Sequence, residues 1–517
     1  MQPVKLLQSS IAFAMLVAVS CTSHYKQSKS QLGEVSFDVS GKPEAQTSFK
    51  KGLLLLHSFE YGDAAEEFQQ TKKMDPDFVM AYWGEAMTHN HSLWRYQDYN
   101  KAVAVLNELS PTPEGRTAKA ETEWEKDFIK GVNILYGTGS KPERDSSYAA
   151  FMGELYKKYP GNNEVASFYS IALIGSVPMG RNTKVYERAA EIAKEVLAKN
   201  PKHPGALHYL IHAYDDPAHA LMALKTADAY SVAAPDAGHA LHMPTHIYLA
   251  LGMWDKVVSS NIVSWEAGET RKKRKKLTND ALNYHAYHWL LYGYLQQGKK
   301  EKAKEILNEM KRLGTEVDSK RAREHIIYQK TTYLAETNDY GSDVNAIEVK
   351  VDDLNIVTRA MNYFANGMDA FYKKDVHALS TVIAQLSGNR LIDEQGISNK
   401  GARLCGSVNS AVPNKLDLQQ AEVMELELKA MQAWLKKDVA ATEKLFMQAV
   451  DLEKTISYAY GPPPIVKPSF ELYGEWLLAL NKPKEALRQF EQSLEAAPGR
   501  ILSMQGKGKA TKLLKNE

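Results

Sequence analysis

Cysteine is nearly absent from the sequence, with only Cys21 and Cys405 among 517 residues. Cys21 lies one residue beyond an apolar N-terminal stretch of the kind found in export signals, which leaves Cys405 without a partner for an intrachain disulfide. Exported proteins often rely on disulfide bonds, and none is available to this chain. Its stability therefore has to come from packed side chains, or in part from a bound metal ion.

A strong excess of one charge is also missing. The chain has 64 basic and 62 acidic residues, a formal net charge of +2 at pH 7, so its composition gives no support for a nucleic-acid partner. The one strong charge run covers residues 271–276 and follows a predicted helix. Most such runs are solvated helix ends that complement the helix dipole, and contact with anionic lipid head groups is the alternative.

The short motifs of several enzyme classes do not occur. The sequence has no His-Glu-x-x-His pair of the zinc peptidases and no Gly-x-Ser-x-Gly nucleophile motif. The glycine-rich stretches at Gly137 and Gly506 lack the spacing of a phosphate-binding loop. These absences favour a protein without enzymatic activity, although they leave the question open.

The N-terminus has the layout of an export signal. Lys5 precedes an apolar stretch over residues 11–19, and Ser20 stands directly before Cys21. The apolar stretch is too short to span a bilayer as a helix of the mature protein. We expect a signal peptide over residues 1–20.

The four residues that end this signal resemble a bacterial lipobox, although Ala18 stands where leucine is usual. The resemblance implies that Cys21 is acylated and becomes the new N-terminus, so that the exported protein is anchored in a membrane, by default the outer membrane with the protein in the periplasm. Residues 21–42 are polar and predict a flexible tether. The alternative is a simple secretory signal in which the cysteine is incidental.

Two distant stretches share one spacing of small, aromatic and proline residues. Ala64, Phe68 and Pro76 are four and eight residues apart, and the same spacing returns at 486, 490 and 498. This spacing is typical of the 34-residue tetratricopeptide repeat, and the chain from residue 43 onward resembles that superfamily. The resemblance implies an all-α fold, a right-handed superhelix of antiparallel helix hairpins known as an α-solenoid, whose concave groove usually binds a protein or peptide.

The repeats are expected in two blocks. The N-terminal block covers residues 43–315 and the C-terminal block residues 416–517, with an atypical helical segment and linker over 316–415 between them. Within that segment, Ser387–Lys415 is rich in small and polar residues and predicts a long linker.

Histidine is concentrated in one part of the N-terminal block, with nine of the fifteen between His203 and His288. His208 and His212 are four residues apart, a spacing that puts both rings on one helix face and suits chelation of a single ion. Residues 239, 242 and 246 are three and four apart, although Pro244 leaves open a helix that begins only there. Because the first helices of successive repeats lie side by side, we expect these imidazoles to converge on one strip of the groove.

The predicted metal ligands are the histidines of three such helices, namely His208, His212, His239, His242, His246 and His285. Further candidates are His89, His91 and His288, and acidic residues expected to orient the rings are Glu85, Asp215, Asp216 and Asp236. Ligation by imidazole without thiolate suits zinc, copper or iron. The alternative is a polar groove that binds an organic ligand or peptide.

Four other histidines are expected to be ordinary hydrogen-bonded packing residues, namely His203, His219, His325 and His377. The proline-rich loop Tyr460–Pro468 cannot be helical, and we hypothesise that it folds back to form a wall of the histidine site. The alternative is a purely structural role as a rigid spacer before the next helix.

The segments HYLIHAYDD and AGHALHMPTHIYLALG look like those of a group of bacterial exported repeat proteins. Together these features predict an exported lipoprotein that acts as a binding scaffold for a protein, peptide or small ligand, with a histidine-rich metal site. The alternative function is a metal-dependent enzyme that uses the same histidines.

Overall fold

The computed structural model describes residues 31–396 and 413–515, and helices dominate both ranges. The signal peptide, Cys21 with its predicted acylation, and Cys405 lie outside the described residues. Two short strands, β1 (Asn90–His91) and β2 (Tyr96–Gln97), pair antiparallel around a single turn of 3-10 helix. A second 3-10 turn covers Asn279–Ala281.

The helices follow one another with short connections. Those of the first part of the chain are α1 (Pro43–His57), α2 (Tyr61–Met74), α3 (Val79–Met87), α4 (Tyr99–Leu109), α5 (Pro113–Lys119), α6 (Glu123–Leu135), α7 (Lys141–Lys158), α8 (Asn163–Ser176) and α9 (Thr183–Lys199). The histidine-rich part contains α10 (Pro204–Tyr214), α11 (Ala220–Ala233), α12 (Gly238–His242), α13 (Pro244–Ala250), α14 (Trp254–Lys275), α15 (Tyr284–Gln296) and α16 (Lys300–Glu316). The remainder comprises α17 (Lys320–Thr337), α18 (Ile356–Tyr372), α19 (Val376–Glu394), α20 (Lys415–Leu435), α21 (Val439–Lys454), α22 (Ser469–Ala479), α23 (Pro483–Ala496) and α24 (Ile501–Leu514).

Close packing inside the hairpins explains the repeat spacing. Phe68 of α2 is fully buried, and a Cβ atom added to Gly52 of α1 or Gly84 of α3 would lie 2.9 or 2.4 Å from its ring. Phe490 of α23 stands in the same relation to glycines of α22 and α24, at 2.8 and 2.3 Å. Glycine on either side of one aromatic ring lets three successive helices approach closely.

Helices two apart along the chain are also in contact, such as α8 with α10 and α15 with α17. Each hairpin therefore stacks on the next, and the fold is the predicted all-α solenoid of the tetratricopeptide-repeat type. The buried apolar side chains form two clusters that meet at α14 and α15. The histidine-rich helices lie at this junction.

The predicted flexible tether needs a correction for its described part. Leu32 and Phe37 are only 2% and 4% exposed, and the Phe37 ring lies 4.6 Å from the ring of Trp124. The Glu34 amide also donates to the Lys202 carbonyl at 3.0 Å. Residues 31–42 are thus an ordered extended segment, because two apolar side chains anchor it to the core.

The predicted linker is shorter than expected. α19 continues to Glu394 and buries Leu386, so residues 387–394 are helical rather than part of a linker. The next helix begins at Lys415 after an Asn414 cap, whose side chain accepts a hydrogen bond from the Asp417 amide. Residues 397–412 lie outside the described ranges.

The basic run at the end of α14 turns toward α2. Asp63 accepts hydrogen bonds from Arg271 and from the Lys275 ammonium, the latter at 2.9 Å. Lys275 also pairs with Glu66 at 2.6 Å. Two of the six basic residues in the run, Arg271 and Lys275, are thus held in ion pairs. Among the described residues no helix is both long enough and apolar enough to cross a membrane.

Candidate metal centre

Four helices, α10, α12, α13 and α15, carry the predicted ligands. α10 starts at a His203 cap and Pro204, and carries His208 and His212 on one face with ring centroids 4.9 Å apart. Met243, which separates α12 from α13, keeps helical dihedrals (φ −54°, ψ −36°) although a proline follows it. The turn therefore continues, and the histidines of α12 and α13 stay on one side.

The first group of ligands consists of His208, His212 and His239. The Nε2 atoms of His212 and His239 each lie 3.2 Å from Nε2 of His208. Two nitrogens bound to one tetrahedral ion at about 2.0–2.1 Å are separated by about 3.3 Å. The separation of these nitrogens is therefore the one that a shared metal ion requires.

The second group consists of His242, His246 and His285. Each offers a ligand atom within 4.8 Å of the others, and their ring centroids are between 4.8 and 6.4 Å apart. The Nε2 atoms of His242 and His246 are buried and find no hydrogen-bond partner among the described residues. Such an unpaired buried nitrogen costs roughly 1–3 kcal/mol, which is a reason to suspect that it serves a ligand.

The other ring nitrogens are engaged by acceptors. His208 Nδ1 donates to the His57 carbonyl at 2.8 Å, and His242 Nδ1 donates to Asn261 Oδ1 at 2.7 Å. The Asn261 amide cannot be reversed without loss, because its Nδ2 donates to the Val257 carbonyl. With the proton on Nδ1, the lone pair of each neutral ring is on Nε2.

Asp215 provides the same support for both groups. Its Oδ2 accepts from Nδ1 of His212 and from Nδ1 of His246, each at 3.2 Å. Burial raises the pKa of Asp215, while the hydrogen bond from His246 and the positive charge of Arg181 act in the opposite direction. A carboxylate behind a ligating imidazole fixes its orientation and raises its basicity.

The rings are held in the neutral form that metal binding needs. Burial lowers the pKa of His212 and of His246 to about 3 and that of His242 to about 4. Burial also lowers the pKa values of His208, His239 and His285 well below the usual range. All six imidazoles are thus uncharged at neutral pH, and their lone pairs are available.

The six imidazoles that were expected to converge lie in two groups of three and do not meet at one point. Three further candidates do not join either group within the described residues. His91 stacks on Tyr61 at 4.0 Å, His288 contacts Thr332 Oγ1 at 2.9 Å, and His89 belongs to no set of ligand atoms.

Of the four acidic residues expected to orient the rings, only Asp215 does so. Asp216 contacts His219 Nδ1 at 2.7 Å, Asp236 accepts from the Gln31 amide, and Glu85 pairs with Lys72. None of these three carboxylates contacts a predicted ligand, because each forms a hydrogen bond or ion pair with a different residue.

A third histidine group was not foreseen. The carboxylate of Glu164 contacts Nε2 of His57 at 2.8 Å and Nε2 of His203 at 3.0 Å, and all three side chains are fully buried. Nδ1 of His57 meets the Tyr209 hydroxyl at 2.9 Å, and Nδ1 of His203 accepts from the Ala206 amide at 3.2 Å. Both rings therefore have both nitrogens satisfied, so this group is a closed structural network.

His203 is thus a packing residue as predicted, while His57 was missed because it lies far from the other histidines in sequence and no local spacing marks it. His219 and His325 are also hydrogen-bonded, to Asp216 and to the Arg321 carbonyl. His377 differs from the prediction, because it is exposed at the start of α19 and does not pack in the core.

The proline-rich loop lies against the second group. The Tyr460 ring is 5.9 Å from the His246 ring, and a Cβ atom on Gly461 would lie 2.4 Å from the indole of Trp289. Trp289 in turn packs on His246 with ring centroids 4.6 Å apart. The loop therefore folds back onto the histidine site, as hypothesised.

A cavity of about 180 Å³ borders this part of the site. Its walls include His285, Trp289, Tyr458 and Pro463. His285 is thus shared between the second group and the cavity. Six protein side chains that converge as neutral imidazoles beside a cavity define a candidate transition-metal centre.

No protein-family model matches the chain, and no curated protein matches it. Among solved structures, yeast Tom70 is 12% identical and matches over 91% of this chain and 89% of its own, with a TM-score of 0.34. The APC/C hetero-tetramer Cut9–Hcn1 is 10% identical over 92% of this chain and 77% of its own, with a TM-score of 0.35. The P58(IPK) TPR domain is 13% identical over 92% and 99%, with a TM-score of 0.23. At these low scores, the fold rests on the helix packing described above.

Proposed function

We propose that this protein binds a transition metal through the six-histidine cluster of α10, α12, α13 and α15. One observation carries the proposal: the Nε2 atoms of His212 and His239 lie 3.2 Å from that of His208, while Nδ1 of His208 and of His212 donates to a fixed oxygen. A packing role would not require such an arrangement, since two of the buried Nε2 atoms have no hydrogen-bond partner among the described residues.

The donor set narrows the choice of metal. All six ligands are neutral imidazoles without a thiolate among them, and the one nearby carboxylate, Asp215, stands on the Nδ1 side of His212 and His246. Magnesium and calcium prefer oxygen ligands, whereas imidazole suits zinc, copper and iron. We propose one of these three as the bound metal.

The proposed wider role is that of an exported binding scaffold. An α-solenoid offers a concave groove for a protein, a peptide or a small ligand, and the metal site would be part of that groove. The lipobox-like ending at Cys21 supports membrane anchoring by an acylated cysteine, with the outer membrane and periplasm as the proposed location.

A metal-dependent enzyme is the second candidate. The cavity beside His285 favours it, because a catalytic ion needs three protein ligands, a position for water or substrate, and a route to that position. An exchangeable water at the loaded metal would favour the enzyme. A site whose coordination is saturated by protein ligands would favour the scaffold.

Metal analysis of protein purified without a histidine tag tests the proposal. After loading with zinc, copper or iron and dialysis, elemental analysis should find at least one equivalent per chain. His208→Gln should lose metal, whereas His325→Gln should not, since His325 is similarly buried but belongs to neither group of ligands. Less than about a tenth of an equivalent of metal per chain in the wild type would contradict the proposed metal binding.

A further inference from the structure

The six histidines are too widely spread for one ion. Ligand bonds of about 2.0–2.1 Å limit any two ligand atoms of one ion to about 4.2 Å apart. The ligand atoms of each group of three lie within 4.8 Å of one another, close to this limit, and two of the distances in the first group are 3.2 Å, but the six do not form one such set. Each group nevertheless provides the three protein ligands that an ion with an open position requires.

Each group also has its own supporting contacts. In the first group, His208 is held by the His57 carbonyl, while in the second, His242 is held by Asn261. Each group has two fully buried rings and one partly exposed ring, His239 in the first and His285 in the second. In both groups, therefore, two ligands are fixed in the core and the third is partly accessible to solvent.

The two groups are nonetheless adjacent. The rings of His212 and His246 have centroids 5.2 Å apart, and both donate to the same Oδ2 of Asp215. One carboxylate thus sets the tautomer of one ligand in each group.

We propose that the cluster holds two transition-metal ions, one bound by His208, His212 and His239 and the other by His242, His246 and His285. This inference rests on the metal binding proposed above. Each ion keeps an open position, since each group supplies only three ligands.

The charge balance indicates what fills those positions. Two divalent ions bring four positive charges to neutral imidazoles, and Arg181 adds one more beside Asp215 and Asp216. The two aspartates offset only part of this charge, and a buried excess of charge is costly. The exogenous ligand is therefore a small anion, which reaches the second ion through the cavity that His285 borders.

Metal stoichiometry distinguishes two ions from one. The full chain, its His239→Ala and His285→Ala variants and the double variant would be loaded with zinc alone or copper alone, dialysed and analysed. We expect two ions in the wild type, one in each single variant and none in the double variant. His377→Ala should keep both ions, because His377 is exposed and far from the cluster in sequence.

Saturation of the wild type at one ion, or loss of all metal from each single variant, would overturn the two-ion centre but leave metal binding intact. A wild type without metal would overturn the proposed function itself. The partly exposed histidines limit the risk of misfolding, and His239→Gln and His285→Gln provide a second pair if helix content falls. Azide should change the absorption spectrum of the copper-loaded wild type, and an unchanged spectrum would overturn the anionic ligand.

Discussion

His212 and His246 lie on different helices, α10 and α13, and both donate from Nδ1 to the same oxygen of Asp215 at 3.2 Å. This contact joins two helix hairpins at the point where the two ligand groups meet. The third partner of Asp215 is Arg181, whose Nη1 lies 3.3 Å from Oδ1. Asp215 is thus a positioning residue for the cluster, and its removal should be felt in both groups.

We therefore expect Asp215→Asn to weaken metal binding about 10- to 100-fold, the usual effect of losing a partner behind a metal ligand. Both rings donate to the same oxygen, so an amide must turn its NH₂ group either toward both rings or toward the Arg181 guanidinium, and each orientation sets two donors against each other. Isothermal titration with zinc measures the effect. The matched control is Asp216→Asn, because Asp216 contacts Arg181 and His219 but no predicted ligand; equal weakening by both variants would contradict the role of Asp215.

The metal-free protein should lose a histidine-dependent part of its stability as the pH falls. In the unfolded chain His246 titrates near its ordinary value of about 6.5, while burial lowers its folded pKa to about 3. Between these values the unfolded state binds the extra proton, so each such histidine lowers the free energy of unfolding by up to about 1.4 kcal/mol per pH unit on acidification. Buried acids with raised pKa values, such as Glu427, act in the opposite direction.

The test compares the wild type with a variant, because the buried acids contribute equally to the pH dependence of both proteins. Urea unfolding of the metal-free wild type and of His246→Gln at pH 7 and pH 5 should show a smaller loss of stability in the variant, since it lacks one suppressed titration. Identical losses of stability in the two proteins would mean that folding does not lower the pKa of His246. Metal affinity of the folded protein should fall only at lower pH, near the folded pKa values of about 3 to 4, where protons compete for the Nε2 lone pairs.

The packing of the first hairpins predicts a difference between two glycines. Gly84→Ala places a Cβ atom 2.4 Å from the fully buried ring of Phe68, and we expect a loss of about 1–3 kcal/mol in the free energy of unfolding. Gly62→Ala in α2 meets nothing closer than the tip of Arg271 at 3.8 Å, and should be neutral or stabilising by up to about 1 kcal/mol. Denaturant unfolding of both variants measures the difference, and a tolerated Gly84→Ala would contradict the close helix approach.

The lipobox resemblance predicts where the protein is found. Cys21→Ser removes the thiol that would be acylated, and we expect the variant to leave the membrane fraction of the producing cells. Mass spectrometry of the wild type should find acyl chains on a new N-terminal Cys21. Cys405→Ser is the matched control and should stay with the membrane, and a wild type recovered without acylation would contradict the anchor.

The fold and the members of the site were open to prediction because both depend on periodic spacing. The spacing of Ala64, Phe68 and Pro76 identified the hairpin, and the spacing of His208 and His212 placed both rings on one face. Stacking of successive hairpins then implied that the rings meet. Metal binding itself stays a prediction.

The division into two groups could not be predicted in this way. It depends on the ring orientations set by partners remote in sequence, such as the His57 carbonyl, which lies 151 residues before His208. The same limit explains why only some of the predicted acidic residues contact ligands. Asp215 follows His212 by three residues and contacts it, whereas Asp236 accepts a hydrogen bond from the Gln31 amide, which is remote in sequence. The order of residues 31–42 was missed because the contacts that hold this polar segment, such as Phe37 with Trp124 and the Glu34 amide with the Lys202 carbonyl, are with residues remote in sequence.

The contact between the proline-rich loop and Trp289 predicts an effect on the second group of ligands. Gly461 has φ +93°, and a side chain there would be both strained and 2.4 Å from the Trp289 indole. Because that indole packs on the rings of His242 and His246 at 4.9 and 4.6 Å, we expect Gly461→Ala to disturb both ligands. Metal affinity at the second group should fall about tenfold, as for other supporting residues.

The control for this variant is Gly341→Ala, since a Cβ atom at Gly341 meets no atom within 4 Å. Competition with a chelator of known affinity, applied to both variants and to the wild type, measures the change. If Gly461→Ala lowered the melting temperature but left the affinity for metal unchanged, the loop would be a structural spacer. A weaker second ion with the first ion retained would instead assign the loop to the wall of the metal centre, because only the second group lies behind Trp289.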